Sequence, residues 1–160
     1  MLIETIRFGQ VDIDETKVIS FEEGLPGLEE YTRFAILNFE GSYPIIWLQS
    51  TENATICLPV VDSFKAIPDY SFDITDEDVQ VLALAGPEDL HVISVLVIPE
   101  TIERMTVNLT APIIINTKNG CARQVILNNG DFNARFPVFT EITRLIKEDE
   151  VDAGAVKEGK

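Results

Sequence analysis

Asp12-Ile13-Asp14-Glu15-Thr16 is the segment of this 160-residue chain whose spacing comes nearest to a reactive site. It fits the D-x-D-x-T pattern in which phosphotransferases of the haloacid dehalogenase type use one Asp as nucleophile and the other as acid/base. That chemistry needs a buried parallel strand leading into the first Asp and alternating helices behind the sheet. The residues that follow supply neither, and a polar turn is expected instead. Asp73-Ile74-Thr75-Asp76-Glu77-Asp78 has the acid density of a calcium loop. It lacks ligands at alternate positions, the glycine at position six and the distal bidentate Glu. Cys57, Cys121 and the single histidine, His91, have neither C-x-x-C nor H-x-x-x-H spacing, so no metal centre follows from them. His91 has no Ser or Cys partner placed by any motif, and both cysteines read as small core residues. There is no G-x-G-x-x-G and no Walker A loop. Trp47 with Tyr43 and Phe39 could form an aromatic ligand wall, but an aromatic inside Ile45-Ile46-Trp47-Leu48 belongs more naturally to a core. No catalytic residue, metal site or cofactor is expected.

The elements that would position any site are mostly strands. Leu2–Phe8 alternates, and Lys17–Phe21 follows the polar turn. Glu22-Glu23-Gly24-Leu25-Pro26-Gly27 is a turn cluster. Phe34–Phe39, Ile45–Gln49 and Thr55–Val61 are apolar runs of strand length. His91–Ile98 is a nearly continuous β-branched run, which predicts burial on both faces. Arg104–Thr110 alternates, with Met105, Val107 and Leu109 on one side. Ile113–Asn116 and Ala122–Leu127 complete the set, with turns expected at Lys118-Asn119-Gly120 and Asn128-Asn129-Gly130-Asp131. Helix is expected at only two places. Thr75-Asp76-Glu77-Asp78 has the capping-box pattern ahead of Val79–Leu84, with Gly86-Pro87 as a stop. Ile142, Leu145 and Ile146 recur at helical spacing within Phe139–Glu150. Roughly nine short strands with one or two short helices predict a mostly β fold, a small antiparallel β-barrel-like roll. Residues 1–148 read as one domain, and 149–160 as a charged tail without an apolar face, expected to fray.

Charge narrows the function classes. The formal net charge is −15, with 27 acidic and 12 basic side chains. Residues 1–90 hold 18 acids against 4 bases, a balance of −14, and residues 62–90 hold eight acids against Lys65 alone. Nucleic-acid binding needs clustered Lys and Arg to neutralise phosphate, so direct nucleic-acid contact is not expected. An anionic membrane surface is disfavoured for the same reason, and no stretch approaches the ~18 apolar residues of a membrane span. The first residues show no secretory signal, and together with two cysteines this points to a reducing cytoplasm. A charged partner of such a chain would be a basic protein.

Several ordered strings then become informative together. Phe21-Glu22-Glu23-Gly24-Leu25-Pro26-Gly27-Leu28 precedes Phe34 opening a strand and Trp47-Leu48-Gln49-Ser50. Val107-Asn108-Leu109-Thr110-Ala111-Pro112-Ile113-Ile114-Ile115-Asn116 and Gln124-Val125-Ile126-Leu127 follow. In motif order and intervening length, residues 2–128 resemble the flagellar assembly factor FliW family. The resemblance implies a non-enzymatic, cytoplasmic regulator of β-barrel-like fold. Members bind newly made flagellin and also the RNA-binding translational repressor CsrA, and the two partners exchange. On this reading Asp73, Asp76, Glu77 and Asp78 are expected near the repressor-binding face. Leu25, Pro26 and Asn108 are further candidate contacts. Leu25 is the most suggestive, because an apolar side chain at a loop tip must find either core or partner. The competing classes are a small-ligand-binding β-barrel with Trp47, His91 and Gln49 as handles, and a hydrolase hidden among the carboxylates.

Overall fold

A computed structural model describes residues 1–39, 41–127 and 133–158. The expected turn at Asn128–Asp131 lies outside the described residues. Among the described residues, eleven strands and three α-helices follow one another. The strands are β1 (Leu2–Thr5), β2 (Gly9–Asp12), β3 (Ile19–Phe21), β4 (Arg33–Leu37), β5 (Ile46–Ser50) and β6 (Cys57–Asp62). After helices α1 (Ser63–Ala66) and α2 (Asp76–Leu82) come β7 (Leu90–Val97), β8 (Thr106–Val107), β9 (Ile113–Asn116), β10 (Cys121–Gln124) and β11 (Phe136–Pro137), then helix α3 (Phe139–Glu158).

Seven strands close into a barrel in the order β7-β6-β5-β4-β3-β10-β9, because β9 also pairs with β7. The expected mostly β, barrel-like fold is what forms. Its neighbours are antiparallel except β3 and β10, where Ser20 and Phe21 lie opposite Cys121 and Ala122 in parallel. The interior is filled by Phe21, Phe34, Leu48, Val60, Ile93 and Ile113, each at most 1% exposed. Phe21 and Phe34 meet edge to face at 5.5 Å. Burial of each such side chain stabilises by about 1.5–3 kcal/mol. Three layers cover the outside. The β1–β2 hairpin lies over Ala35, Leu37 and Trp47; α2 brings Leu82 onto Val92 and Ile114; α3 brings Ile142 and Leu145 onto Val61, Leu96 and Val107.

These layers explain why β7 reads as one apolar run. Ile93 and Val95 pack with the barrel interior, while Val92 and Leu96 pack under the outer layers. Ser94, on the same outer side, shares a 2.6 Å hydroxyl hydrogen bond with Ser63 of α1.

Several element limits differ from the sequence pattern, each for a local polar reason. β1 ends at Thr5, not Phe8, because the Thr5 hydroxyl accepts from Phe8 N and donates to Gly9 O, turning the chain into β2. Arg104–Thr110 keeps its alternation, with Met105, Val107 and Leu109 buried, yet only Thr106–Val107 is paired strand. Asn108 ends it by accepting from Thr110 N and Ala111 N. α1 has no amphipathic signal and owes its start to Asp62, whose carboxylate takes Phe64 N and Lys65 N. α3 continues to Glu158, beyond the Glu150 limit of its apolar spacing.

Candidate functional site

The Gly24-Leu25-Pro26-Gly27 turn and the acidic segment at 73–78 are far apart in sequence, and barrel closure sets them side by side. β10 lies next to β3 and runs beneath α2, so Arg123 of β10 stands between them. Its guanidinium donates to Asp78 Oδ1 at 2.9 Å and lies 3.5 Å from both Glu23 and Glu77. Around it opens a cleft of about 260 Å³, lined by Glu22, Glu23, Pro26, Glu29, Val81 and Ile126 among others. Ile126 is 67% exposed, a large apolar side chain beside a carboxylate rim. The Glu29 carboxyl is held below the ordinary carboxylate range chiefly by the Gly27 amide, which donates to it at 3.0 Å. The face offers several carboxylates around an apolar centre.

Each expected site residue now has a place. Pro26 is exposed on the cleft. Leu25, immediately before it, is 3% exposed and packs with the barrel interior: the loop-tip leucine finds core. Asp73, Asp76 and Glu77 are exposed, but Asp78 is 4% exposed and turned inward. Both its oxygens are engaged: Oδ2 accepts from Thr75 N, closing the capping box, and Oδ1 takes Arg123. Asn108 is half-buried and holds the 110–112 segment. That segment runs beside the cleft wall, with Leu127 N donating to Thr110 O, Val125 N to Pro112 O and Gln124 Nε2 to Ala111 O. Asn108 is thus a positioning residue at one remove from the cleft.

Sequence reasoning missed Arg123, Glu23 and Ile126. The signal present was modest: Arg123 is one of few bases in 91–140 and sits within the strand string ending Gln124-Val125-Ile126-Leu127.

The handles of the ligand-barrel reading diverge. Trp47 lies outside the barrel interior, 5.6 Å from Phe8 and with the Arg7 guanidinium 4.5 Å over its ring. Gln49 is fully buried and donates to Ser50 O at 3.1 Å. His91 lies 3.4 Å from Asp62. Burial works to raise the Asp62 pKa, but the His91 hydrogen bond, the Lys65 amide and the nearby positive charges outweigh it and hold the carboxyl low. Asp14 of the phosphotransferase-like segment accepts from Thr16 N and caps the 3-10 turn Glu15–Lys17, while Asp12 meets the chain's amino terminus at 3.2 Å. Cys57 and Cys121 are half-buried, and Cys121 packs against the buried cluster of Leu82, Val92 and Ile114.

Known proteins of similar sequence and fold show the family. The family described as FliW protein matches residues 2–138. The flagellar assembly factor FliW of Alkaliphilus metalliredigens is 30% identical over 161 residues, covering 100% of this chain and 99% of the relative. The protein of that name from Caldanaerobacter subterraneus subsp. tengcongensis is 41% identical over 143 residues, covering 89% of this chain and 95% of the relative. A crystal structure of the flagellar assembly factor FliW has a TM-score of 0.81 and 30% sequence identity, covering 87% of this chain and 97% of that one. On sequence match, coverage and shared fold together, the chain belongs to the FliW family of flagellar assembly factors.

Proposed function

We propose that this protein is a non-enzymatic, cytoplasmic regulator that binds flagellin and, in exchange for it, a CsrA-type RNA-binding repressor, so that flagellin synthesis follows flagellin demand. Family membership supports the flagellar assignment. The observation that carries the finer reading is the carboxylate rim of Glu22, Glu23 and Glu29, with Glu77 at Arg123, around Pro26, Val81 and Ile126. A basic protein surface complements that rim, and RNA-binding proteins are basic because phosphate demands it. Mutually exclusive binding needs no reaction. Each partner lowers the other's apparent affinity by mass action, so a free flagellin pool returns the repressor to its RNA.

Co-purification with flagellin and with CsrA, separately and in competition, tests the reading. Both are expected to bind, and added flagellin is expected to release CsrA. Failure of both to bind at micromolar concentration would overturn it. Simultaneous binding would remove the exchange while leaving the partners.

A further inference from the structure

The seam between β3 and β4 closes over only two residue pairs, Ile19 with Phe34 and Ser20 with Arg33. Main-chain direction along β4 follows from its other neighbour. Thr51 N donates to Arg33 O at 3.0 Å, so Arg33, Ala35 and Leu37 direct their backbone groups toward β5, and Phe34 and Ile36 direct theirs away from it. Phe34 meets Ile19 of β3. One step further along, no strand remains to meet Ile36, because residues 15–17 coil into the 3-10 turn that Asp14 caps. Lys17 N and Val18 N donate back into that turn, to Asp14 O and Glu15 O. Neither the Ile36 N–H nor its carbonyl meets a hydrogen-bonding group among the described residues.

A cleft of about 310 Å³ opens at this point, between the end of β4 and residues 11–18. Val11, Val18, Ile36 and Leu37 give it apolar walls, and Asp12 and Asp14 stand among its lining with Lys17. An unpaired donor and acceptor on one strand residue is the recognition element of an extended chain; a helix has no main-chain groups free to answer it and, at about 10 Å across, is too wide. We infer that the open edge of β4 at Ile36 takes up an extended, aliphatic, basic-flanked segment of a protein partner, which adds antiparallel to β4 where β3 stops. The aliphatic side chains answer the apolar walls, and the basic flank answers the exposed carboxylates of Asp12, which also meets the amino terminus, and of Asp14, which also accepts from Thr16. This site is separate from the cleft around Arg123 and does not depend on the function proposed above.

The test uses the ¹⁵N-labelled full chain and the peptide acetyl-Lys-Val-Ile-Val-Lys-amide. In the free protein the Ile36 amide is expected to exchange with solvent faster than those of Phe34, Ala35 and Leu37. The peptide is expected to shift the Ile36 resonance and slow its exchange about tenfold, the gain of one or two hydrogen bonds. The same peptide N-methylated at its central isoleucine, which cannot donate, is expected to fail. The inference is overturned by a slowly exchanging Ile36 amide in dilute free protein, by no response to the peptide, or by equal response to the N-methylated form. Protection that rises with protein concentration alone would overturn it in favour of self-pairing.

Discussion

Gly24 and Gly27 look equivalent in the Gly-Leu-Pro-Gly string, and both adopt positive φ, +71° and +85°. Their surroundings differ. A Cβ on Gly24 would come within 2.6 Å of the Glu29 Cα, a backbone atom that cannot swing aside, whereas a Cβ on Gly27 meets open space. Gly27→Ala therefore carries only the left-handed backbone cost, about 1–2 kcal/mol. Gly24→Ala adds a forced shift of the 24–29 loop and is expected to cost about 3 kcal/mol in all. Urea midpoints of the two variants check this, and equal losses would show that the Gly24–Glu29 approach is relaxed in solution. The loop bears Pro26 outward and Leu25 inward, so Gly24→Ala is also expected to weaken partner binding more than Gly27→Ala does. The pairing of an anchored Leu with a presented Pro was half legible in sequence: the turn chemistry is local, but the side of the barrel end on which Leu25 lands is not.

At the scale of elements, Arg123 ties β10 to α2. It is 16% exposed on its side chain and faces an Asp78 carboxylate that is 6% exposed. Arg123→Gln leaves that carboxylate without its cation, and breaking so buried a pair is expected to destabilise the fold by about 3 kcal/mol. Glu77→Gln removes a pair on a largely exposed side chain and should change stability by no more than about 0.5 kcal/mol. Thermal unfolding of both variants separates the two cases, and comparable losses would mean that Arg123 does not hold α2. Legibility followed the range of the interaction. The start of α2 could be read because its capping box spans four consecutive residues. Its end, expected at Leu84 ahead of Gly86-Pro87, falls at Leu82, since Ala83 adopts φ +52° where Asn116 at the end of β9 and Asn119 in the turn after it take the Leu82 and Ala83 carbonyls. Those asparagines enter α2's surroundings only once the barrel has closed, and the same holds for Arg123 and Asp78, 45 residues apart. α3 gives the converse case. Beyond Glu148 its sequence has no apolar face, and Val151 is 69% exposed. We propose that the folding unit ends near residue 148 and that α3 beyond it adds little to stability. A chain ending at Glu148 is expected to keep its urea midpoint within about 0.5 kcal/mol of the full chain; a larger loss would extend the domain into the tail.

Over the whole molecule, the −14 carried by residues 1–90 is not all available to a partner. Of the eight acids at 62–90, Asp62 caps α1 and faces His91, Asp78 is held by Arg123, and Asp89 is buried beside Lys118. Asp69, Asp73, Asp76, Glu77 and Glu88 remain exposed. The field that would steer a basic repressor toward this face arises chiefly from that outward group, because a carboxylate paired within the fold is largely compensated at a distance. The combined variant Asp73→Asn, Asp76→Asn, Glu77→Gln is expected to slow CsrA association at low salt by about three- to tenfold and to flatten its salt dependence. Dissociation should change less, since steering acts before contact. Asp89→Asn removes one unit charge, against three in the combined variant, from a buried position, and is expected to lower stability while leaving the association rate nearly as it was. Stopped-flow association at several salt concentrations distinguishes the two. An unchanged rate in the triple variant would mean that the acidic face serves solubility alone and that the repressor docks elsewhere. A rate lowered as much per charge removed by Asp89→Asn would mean that net charge, not the placement of the exposed carboxylates, governs the encounter.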